Sequence, residues 1–278
     1  MKKKIVPLLF AIVSSLLLQP LAVQADSDAI SFEGFTAVEN DACAITLTDI
    51  DSDNIWGYTI NAVMENKSAD KTYMFAVETA SINGVQADPF FATEISPGKK
   101  ANESISFSDM EEYGITDFTD IELVFHVYDS EDWMADDVAR ETVHVYPYGE
   151  ENAVRFIREP ADTDRVLINN DIASVIVTDI EEDAIWGYTL NLFLENKTSA
   201  NIMVSVEEAS VNGFMLDPFF ASEVTSGKCE FTSMSWSDSS LEENGITNVE
   251  EIELLLHIYD ADDWMADDYV NERVVINP

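Results

Sequence analysis

The chain has 278 residues, 46% of them hydrophobic, and carries 54 acidic residues against 14 lysines and arginines, for a formal net charge of −40. A polyanion of that density is repelled by phosphate backbones, which argues against nucleic acid as a partner and leaves cations and basic polypeptides as the species its field attracts. The length sets a prior of two domains, and the apolar content suffices for a core in each.

At the N-terminus, Lys2, Lys3 and Lys4 precede an apolar run over residues 5–18 and the small-residue site Val23-Gln24-Ala25. This pattern reads as a secretory signal peptide, residues 1–25, cleaved before Asp26. Cleavage removes three lysines and leaves a charge of −43. No later stretch has the length of a membrane span, so the expectation is a secreted, extracellular protein with no membrane insertion after cleavage.

The remainder is a duplication. Tyr128-Asp129-Ser130-Glu131-Asp132-Trp133-Met134-Ala135-Asp136-Asp137 returns 131 residues later as Tyr259-Asp260-Ala261-Asp262-Asp263-Trp264-Met265-Ala266-Asp267-Asp268. Shifts of 130 and 129 match Ile55-Trp56-Gly57-Tyr58 to Ile185-Trp186-Gly187-Tyr188, and Asp88-Pro89-Phe90-Phe91 to Asp217-Pro218-Phe219-Phe220. A period of this kind sets the domain plan before any local reading. The plan is repeat 1 over residues 26–147, a charged linker over 148–160 and repeat 2 over 161–278.

Each repeat opens with a strand, a polar turn at Asn40-Asp41 or Asn170-Asp171, and a second strand over residues 43–48 or 173–178. Tyr58, Ile60, Ala62 and Met64 then alternate with Thr59, Asn61, Val63 and Glu65, and Tyr188, Leu190, Leu192 and Leu194 alternate in the same way. This alternation is that of a half-buried strand. The next strand changes phase between Val77 and Ala80, and again between Val206 and Ala209, which predicts a β-bulge near Glu78-Thr79 and Glu207-Glu208.

Asn83-Gly84 and Asn212-Gly213 predict tight hairpins, since both residues tolerate positive φ. Gly98 marks a further turn before a strand holding Ile105 and Phe107, with Met234 and Trp236 as counterparts. Ser108-Asp109-Met110-Glu111 and Ser239-Ser240-Leu241-Glu242 read as capping boxes of a short helix that stops at Gly114 or Gly245. Alternating strands from Ile121 and Ile252 lead into the acidic motif, and a last strand closes each repeat. In the linker, residues 153–157 have the pattern of a brief extra strand.

About seven short strands per repeat, one short helix and no βαβ alternation predict an all-β chain of two tandem antiparallel immunoglobulin-like β-sandwich domains. A Greek-key barrel is the alternative. Together, Trp56-Gly57-Tyr58, Glu65-Asn66-Lys67-Ser68, Ile82-Asn83-Gly84, Asp88-Pro89-Phe90-Phe91-Ala92, Glu111-Glu112-Tyr113-Gly114-Ile115-Thr116 and the acidic motif, with their second copies, carry a resemblance. The chain resembles tandem immunoglobulin-like repeat proteins secreted by Gram-positive anaerobic bacteria. The resemblance covers nearly all of the chain after residue 25. It implies a fold and an extracellular compartment, and it supplies no activity and no functional residue.

Candidate chemistry is sparse. Cys43 shares its parity with Ile45 and Leu47 and reads as a core residue, whereas Cys229 takes the exposed parity of its strand, so a disulfide between them is not expected. His126 and His257 lie on the outward face, four residues after Glu122 and Glu253, a weak metal-ligand spacing. Trp56 and Trp186 read as core plugs because tryptophan usually buries its large apolar area, with an exposed ligand platform as the alternative. The acidic loops offer Trp133 and Trp264 as candidate binding residues, with docking against the sandwich edge as the competing role. They also offer Asp129, Asp132, Asp136, Asp260, Asp263 and Asp267 as candidate calcium ligands. Calcium takes about six to eight oxygens in flexible loops, although neither loop has the glycine and glutamate of an EF-hand.

No nucleophile elbow, zinc-binding His pair, dinucleotide fingerprint or phosphate loop occurs in the sequence. The expectation is a secreted non-enzymatic binding, adhesion or envelope-associated module with a protein or glycan ligand. Its rivals are a calcium-binding structural repeat protein and an enzyme acting on extracellular polymers.

Overall fold

The computed structural model describes residues 30–108, 110–132, 134–263 and 265–278. The predicted signal segment, residues 1–25, together with residues 26–29, Asp109, Trp133 and Trp264, lies outside them. Repeat 1 contains β1 (Phe35–Glu39), β2 (Cys43–Asp51), β3 (Tyr58–Asn66), β4 (Tyr73–Ile82), β5 (Val85–Ala87), β6 (Ala92–Ile95), β7 (Lys100–Phe107), β8 (Ile121–Asp129) and β9 (Ala139–Val145). Repeat 2 contains β10 (Arg165–Asn169), β11 (Ala173–Ala184), β12 (Gly187–Asn196), β13 (Ile202–Val211), β14 (Phe214–Met215), β15 (Ala221–Val224), β16 (Cys229–Trp236), α1 (Asp238–Glu243), β17 (Ile252–Asp260) and β18 (Val270–Ile276).

One sheet of repeat 1 has the order β1-β2-β3-β7, and the other places β4 between β8 and the broken edge formed by β5 and β6, with β9 beyond β8. Repeat 2 follows the same plan, with β10-β11-β12-β16 facing the sheet of β14, β15, β13, β17 and β18. The cause is the alternation read from the sequence. Ile60, Ala62 and Met64 on β3, and Ile121, Leu123, Phe125 and Val127 on β8, point into one core. Leu190, Leu192 and Leu194 do the same against Leu254, Leu256 and Ile258. Each such large side chain contributes about 1.5–3 kcal/mol by leaving water. The chain is therefore an all-β protein of two sandwiches.

The predicted bulges are present. Register shifts between Val77 and Thr79 on β4, and between Glu207 and Ser210 on β13, where Glu208 takes φ 46°. The extra residue lets Phe75 and Ala80 face the same core although they are an odd offset of five positions apart. Asn83 and Gly84 take φ 54° and 86°, and Asn212 and Gly213 take 50° and 80°, as a two-residue hairpin requires. The asparagines do more than turn the chain. Asn83 Oδ1 accepts from the Thr119 and Asp120 amides, and Asn212 Oδ1 accepts from those of Glu250 and Glu251.

Buried Asn66 has a comparable role, its Nδ2 donating to the Lys71 and Ile95 carbonyls at 2.8 and 2.7 Å. Asn196 repeats this with the Ala200 and Val224 carbonyls. Entry and exit of the first sandwich meet where the Ser31 amide donates to the Pro147 carbonyl at 2.8 Å. In the second, the Arg165 guanidinium donates to the Asn277 carbonyl.

Two expectations need correction here. The helix of repeat 2 is capped by Ser237, whose hydroxyl accepts from the Ser240 amide, rather than by Ser239; in repeat 1 only a 3-10 turn, Glu111–Tyr113, forms. Cys229, expected on the surface, is 5% exposed. Parity within its strand was read correctly, but the outward face it occupies is covered by repeat 1. Val85 of β5 pairs in parallel with Cys229, and the Cys229 amide donates to the Gly84 carbonyl at 3.0 Å. This joins a sheet of each repeat into one nine-stranded sheet. Cys43 is buried as expected, and both thiols are free.

The linker forms no strand and is fastened to both repeats. Its Phe156 amide donates to the Asn83 carbonyl, and the Phe156 ring packs at 5.9 Å from that of Phe231. Arg158 grips Asp164 with two bonds of 2.7 and 2.5 Å and lies over the Phe193 ring.

Candidate functional site

Trp56 and Trp186, expected in the core, are each 75% exposed, and Ile55 and Ile185 beside them are more exposed still. The reason lies in the next residue. Gly57 and Gly187 take φ 98° and 93°, and a Cβ at either would lie 2.0 Å from the Phe107 carbonyl oxygen or 2.3 Å from that of Trp236. Bare backbone fills the close approach over the sheet end, so the preceding ring is turned outward. The tip is held by Asn54, whose side chain accepts from the Trp56 amide and donates to Asp51. Among the described tryptophans the one in the core is Trp236, 2% exposed, with Nε1 donating to the Leu216 carbonyl at 3.0 Å.

The same doubling of exposed apolar residues occurs elsewhere. Phe90 and Phe219 are almost wholly exposed at the break in the edge strand, as are most of Met134 and Met265 in the acidic loops. Single exposed hydrophobic residues are ordinary on a protein surface. An adjacent Ile-Trp pair exposed at the turn before a strand, present twice, is a larger apolar patch than such scattered residues make.

The six candidate calcium ligands are not drawn together. Among the described residues, no group of three or more acids, histidines or cysteines is arranged to hold a metal ion. Several of these carboxylates make hydrogen bonds within and beside the loops. Asp129 is buried, accepts from Lys71 Nζ at 2.8 Å and from the Glu131 amide, and is held below its ordinary range first by that lysine bond. Asp260, which has Ala200 where the first copy has Lys71, accepts from the Asp262 and Asp263 amides and from the Tyr269 hydroxyl. Asp132, Asp136, Asp263 and Asp267 are exposed, and Asp263 accepts from the Met265 amide. The candidate binding residues Trp133 and Trp264 lie outside the described residues. His126 and His257 pair with Asp137 and Asp268 at 2.7 Å and lie against Tyr128 and Tyr259, a brace across the base of each loop.

A third feature had no counterpart in the sequence reading. Between the repeats runs an open crevice of roughly 1050 Å³ lined by Gln86, Glu122, Arg140, Lys228 and Glu230 among others. Lys228 Nζ bonds Glu122 across it at 2.8 Å, and His144 bridges Glu122 and Asp120. Glu230 accepts from the Ser222 hydroxyl at 2.5 Å, while burial pushes its carboxyl up to about 7. The residue equivalent to Glu230 in repeat 1 is Ala101. This carboxyl therefore belongs to the joint between the repeats and to one copy only. The signal for the joint was present in the sequence: Phe193 and Phe231 are apolar on an outward parity where Val63 and Asn102 stand in the first copy.

No family model matches the chain, and no curated protein matches it. Similar solved structures include an exo-chitosanase from Amycolatopsis orientalis, 9% identical at a TM-score of 0.24 over 86% of this chain and 27% of that one. Red sea bream transglutaminase is 9% identical at 0.23, over 81% and 29%, so the chain spans less than a third of either enzyme. A protein of unknown function from Porphyromonas gingivalis is 10% identical at 0.21, over 87% and 94%. At such scores these likenesses bear on neither chemistry nor ligand.

Proposed function

We propose that the chain is a secreted, non-enzymatic binding protein that presents two copies of one contact tip on a rigid pair of sandwiches, with a protein or glycan surface as its ligand. The observation that carries the reading is the exposure of Ile55-Trp56 and Ile185-Trp186 on tips fixed by Gly57 and Gly187. Water-exposed tryptophan is disfavoured by solvation and favoured at binding hot spots, where a rigid ring gives large contact area at low entropic cost. Two tips on one body also make the second contact intramolecular, which raises avidity without any new bond.

The finer assignment of each sandwich as immunoglobulin-like belongs to the same proposal. β4, β8 and β9 share a sheet as the C, F and G strands of that fold do, β2, β3 and β7 stand for A, B and E, and β1 is an addition. Export is inferred from the first 25 residues of the sequence.

The test uses the chain from residue 26 onward, applied to insoluble cell-wall glycan, mucin and immobilised extracellular protein fractions. Retention of the parent on one of these surfaces, weakened by Trp56→Ser or Trp186→Ser and lost in the double variant, is the expected result. Undiminished retention of the double variant on that surface removes the tips from the function, and failure of the parent to bind any of the surfaces removes the reading itself.

A further inference from the structure

The internal joint has two halves, and the duplication has left a second set of both. In the joint, the β5 edge of repeat 1 receives the start of β16 of repeat 2. The edge equivalent to β5 is β14 in repeat 2, and the strand equivalent to β16 is β7 in repeat 1. Both lie at the end of their sheets, with no further strand beyond among the described residues. An uncovered edge with apolar side chains is a template for another strand. β14 has that character, with Phe214 48% and Met215 68% exposed where the covered edge has Val85 and Gln86.

We propose that copies of this chain associate head to tail, the β7 end of repeat 1 in one copy docking on the β14 edge of repeat 2 in the next. The side chains at the equivalent positions are complementary. The Lys228 to Glu122 ion pair of the internal joint becomes Lys99 of one copy against Glu253 of the other. Lys99 is exposed and in no ion pair among the described residues, and Glu253 is reached only by Arg273 at 3.9 Å. The stacked Tyr113 and Phe231 rings, 4.2 Å apart, become Asn244 and Asn102, so an aromatic pair is exchanged on both sides at once for an amide pair.

The second joint is the weaker one. It lacks the linker residues Arg155, which donates to the Gly227 carbonyl, and Phe156, and it has no covalent tether. Because donor and acceptor surfaces differ, the contact is heterologous, and where the rotation between copies closes no ring its repetition gives an open series rather than a dimer.

Sedimentation of the chain from residue 26 onward, at rising concentration and physiological salt, tests this. The expected result is a weight-average mass that climbs past that of a dimer without a plateau. Lys99→Glu and Glu253→Lys should each hold the chain near the monomer, since each opposes like charges at the joint, and an equal mixture of the two should recover association. Lys100→Pro, which removes the amide equivalent to that of Cys229 on an edge strand, should also hold it near the monomer. Circular dichroism of each variant, matching the parent, keeps the comparison free of unfolding. A monomer at every concentration, a plateau at the dimer, or equal association by all variants would overturn the proposal.

Discussion

The outward faces of β3-β7 and β12-β16 are the same surface in two copies, with opposite outcomes. In repeat 1 it carries Val63, Asn102 and Lys100 and meets solvent; in repeat 2 it carries Phe193, Phe231 and Cys229 and meets repeat 1 and the linker. Inside the two sandwiches the residues hardly differ in kind: Ile60 corresponds to Leu190, Ile121 to Ile252, and Asn66 to Asn196, which is the same polar staple. Divergence at the joint and constancy in the core show which positions answer to the fold and which to the neighbour. Phe193 and Cys229 even belong to the core of repeat 1 rather than that of their own repeat.

The sharpest way to break the comparison is truncation on the two faces. Phe193→Ala should cost about 3–5 kcal/mol, because it empties a buried site between Phe231 and Arg158. Val63→Ala, at the equivalent and half-exposed position, should cost less than about 1 kcal/mol. Urea titrations of both variants measure the difference, and equal losses would mean that the joint adds nothing to the stability of the second face.

A smaller effect separates Glu230 from Ala101. The folded carboxyl titrates near 7, above its ordinary 4.5, so folding is favoured by its proton. That stability is fully present below about pH 4.5 and is lost as the pH rises through about 7. Because Glu230 is partly open to solvent, we expect no more than about 2 kcal/mol from it. Glu230→Gln should be the more stable protein above pH 7 and should lose this part of the pH dependence, as thermal melts across pH 4 to 8 would reveal. Indistinguishable melts at pH 8 would count against a carboxylate disfavoured by its partial burial.

The smallest effect tests constancy rather than divergence. The hydroxyls of Tyr58 and Tyr188 are buried without a hydrogen-bond partner in the same place in both repeats. Tyr58→Phe and Tyr188→Phe should therefore each be neutral or stabilising by about 1 kcal/mol, since an unsatisfied polar group leaves the core. Calorimetry would show it, and a marked destabilisation in either would point to a partner such as a buried water.

Much of the architecture was legible because one signal, the alternation along strands such as β3 and β8, was strong and appeared twice. Even the bulges announced themselves as a phase slip shared by Val77 to Ala80 and Val206 to Ala209. What alternation cannot convey is which atoms make a close approach. Trp56 was assigned to the core on its area, whereas the closest packing there is made by the backbone of Gly57. Nor can parity see a second domain, which is why Cys229 was placed in solvent. In the acidic loops, spacing alone could not show that Asp129 answers Lys71, 58 residues away, or that Asp260 turns to its own amides.

One feature of the chain path bears on how such proteins change over time. Where the Ser31 amide meets the Pro147 carbonyl, and Arg165 meets Asn277, each sandwich begins and ends at a single point. A unit of that shape is a cassette: the chain can gain or lose one without a longer path between its neighbours, and the joint surface of Phe193, Cys229 and Phe231 is what has to be remade. The number of repeats is then free to vary, and the side chains at the joints are left as the record of which neighbour each copy has had.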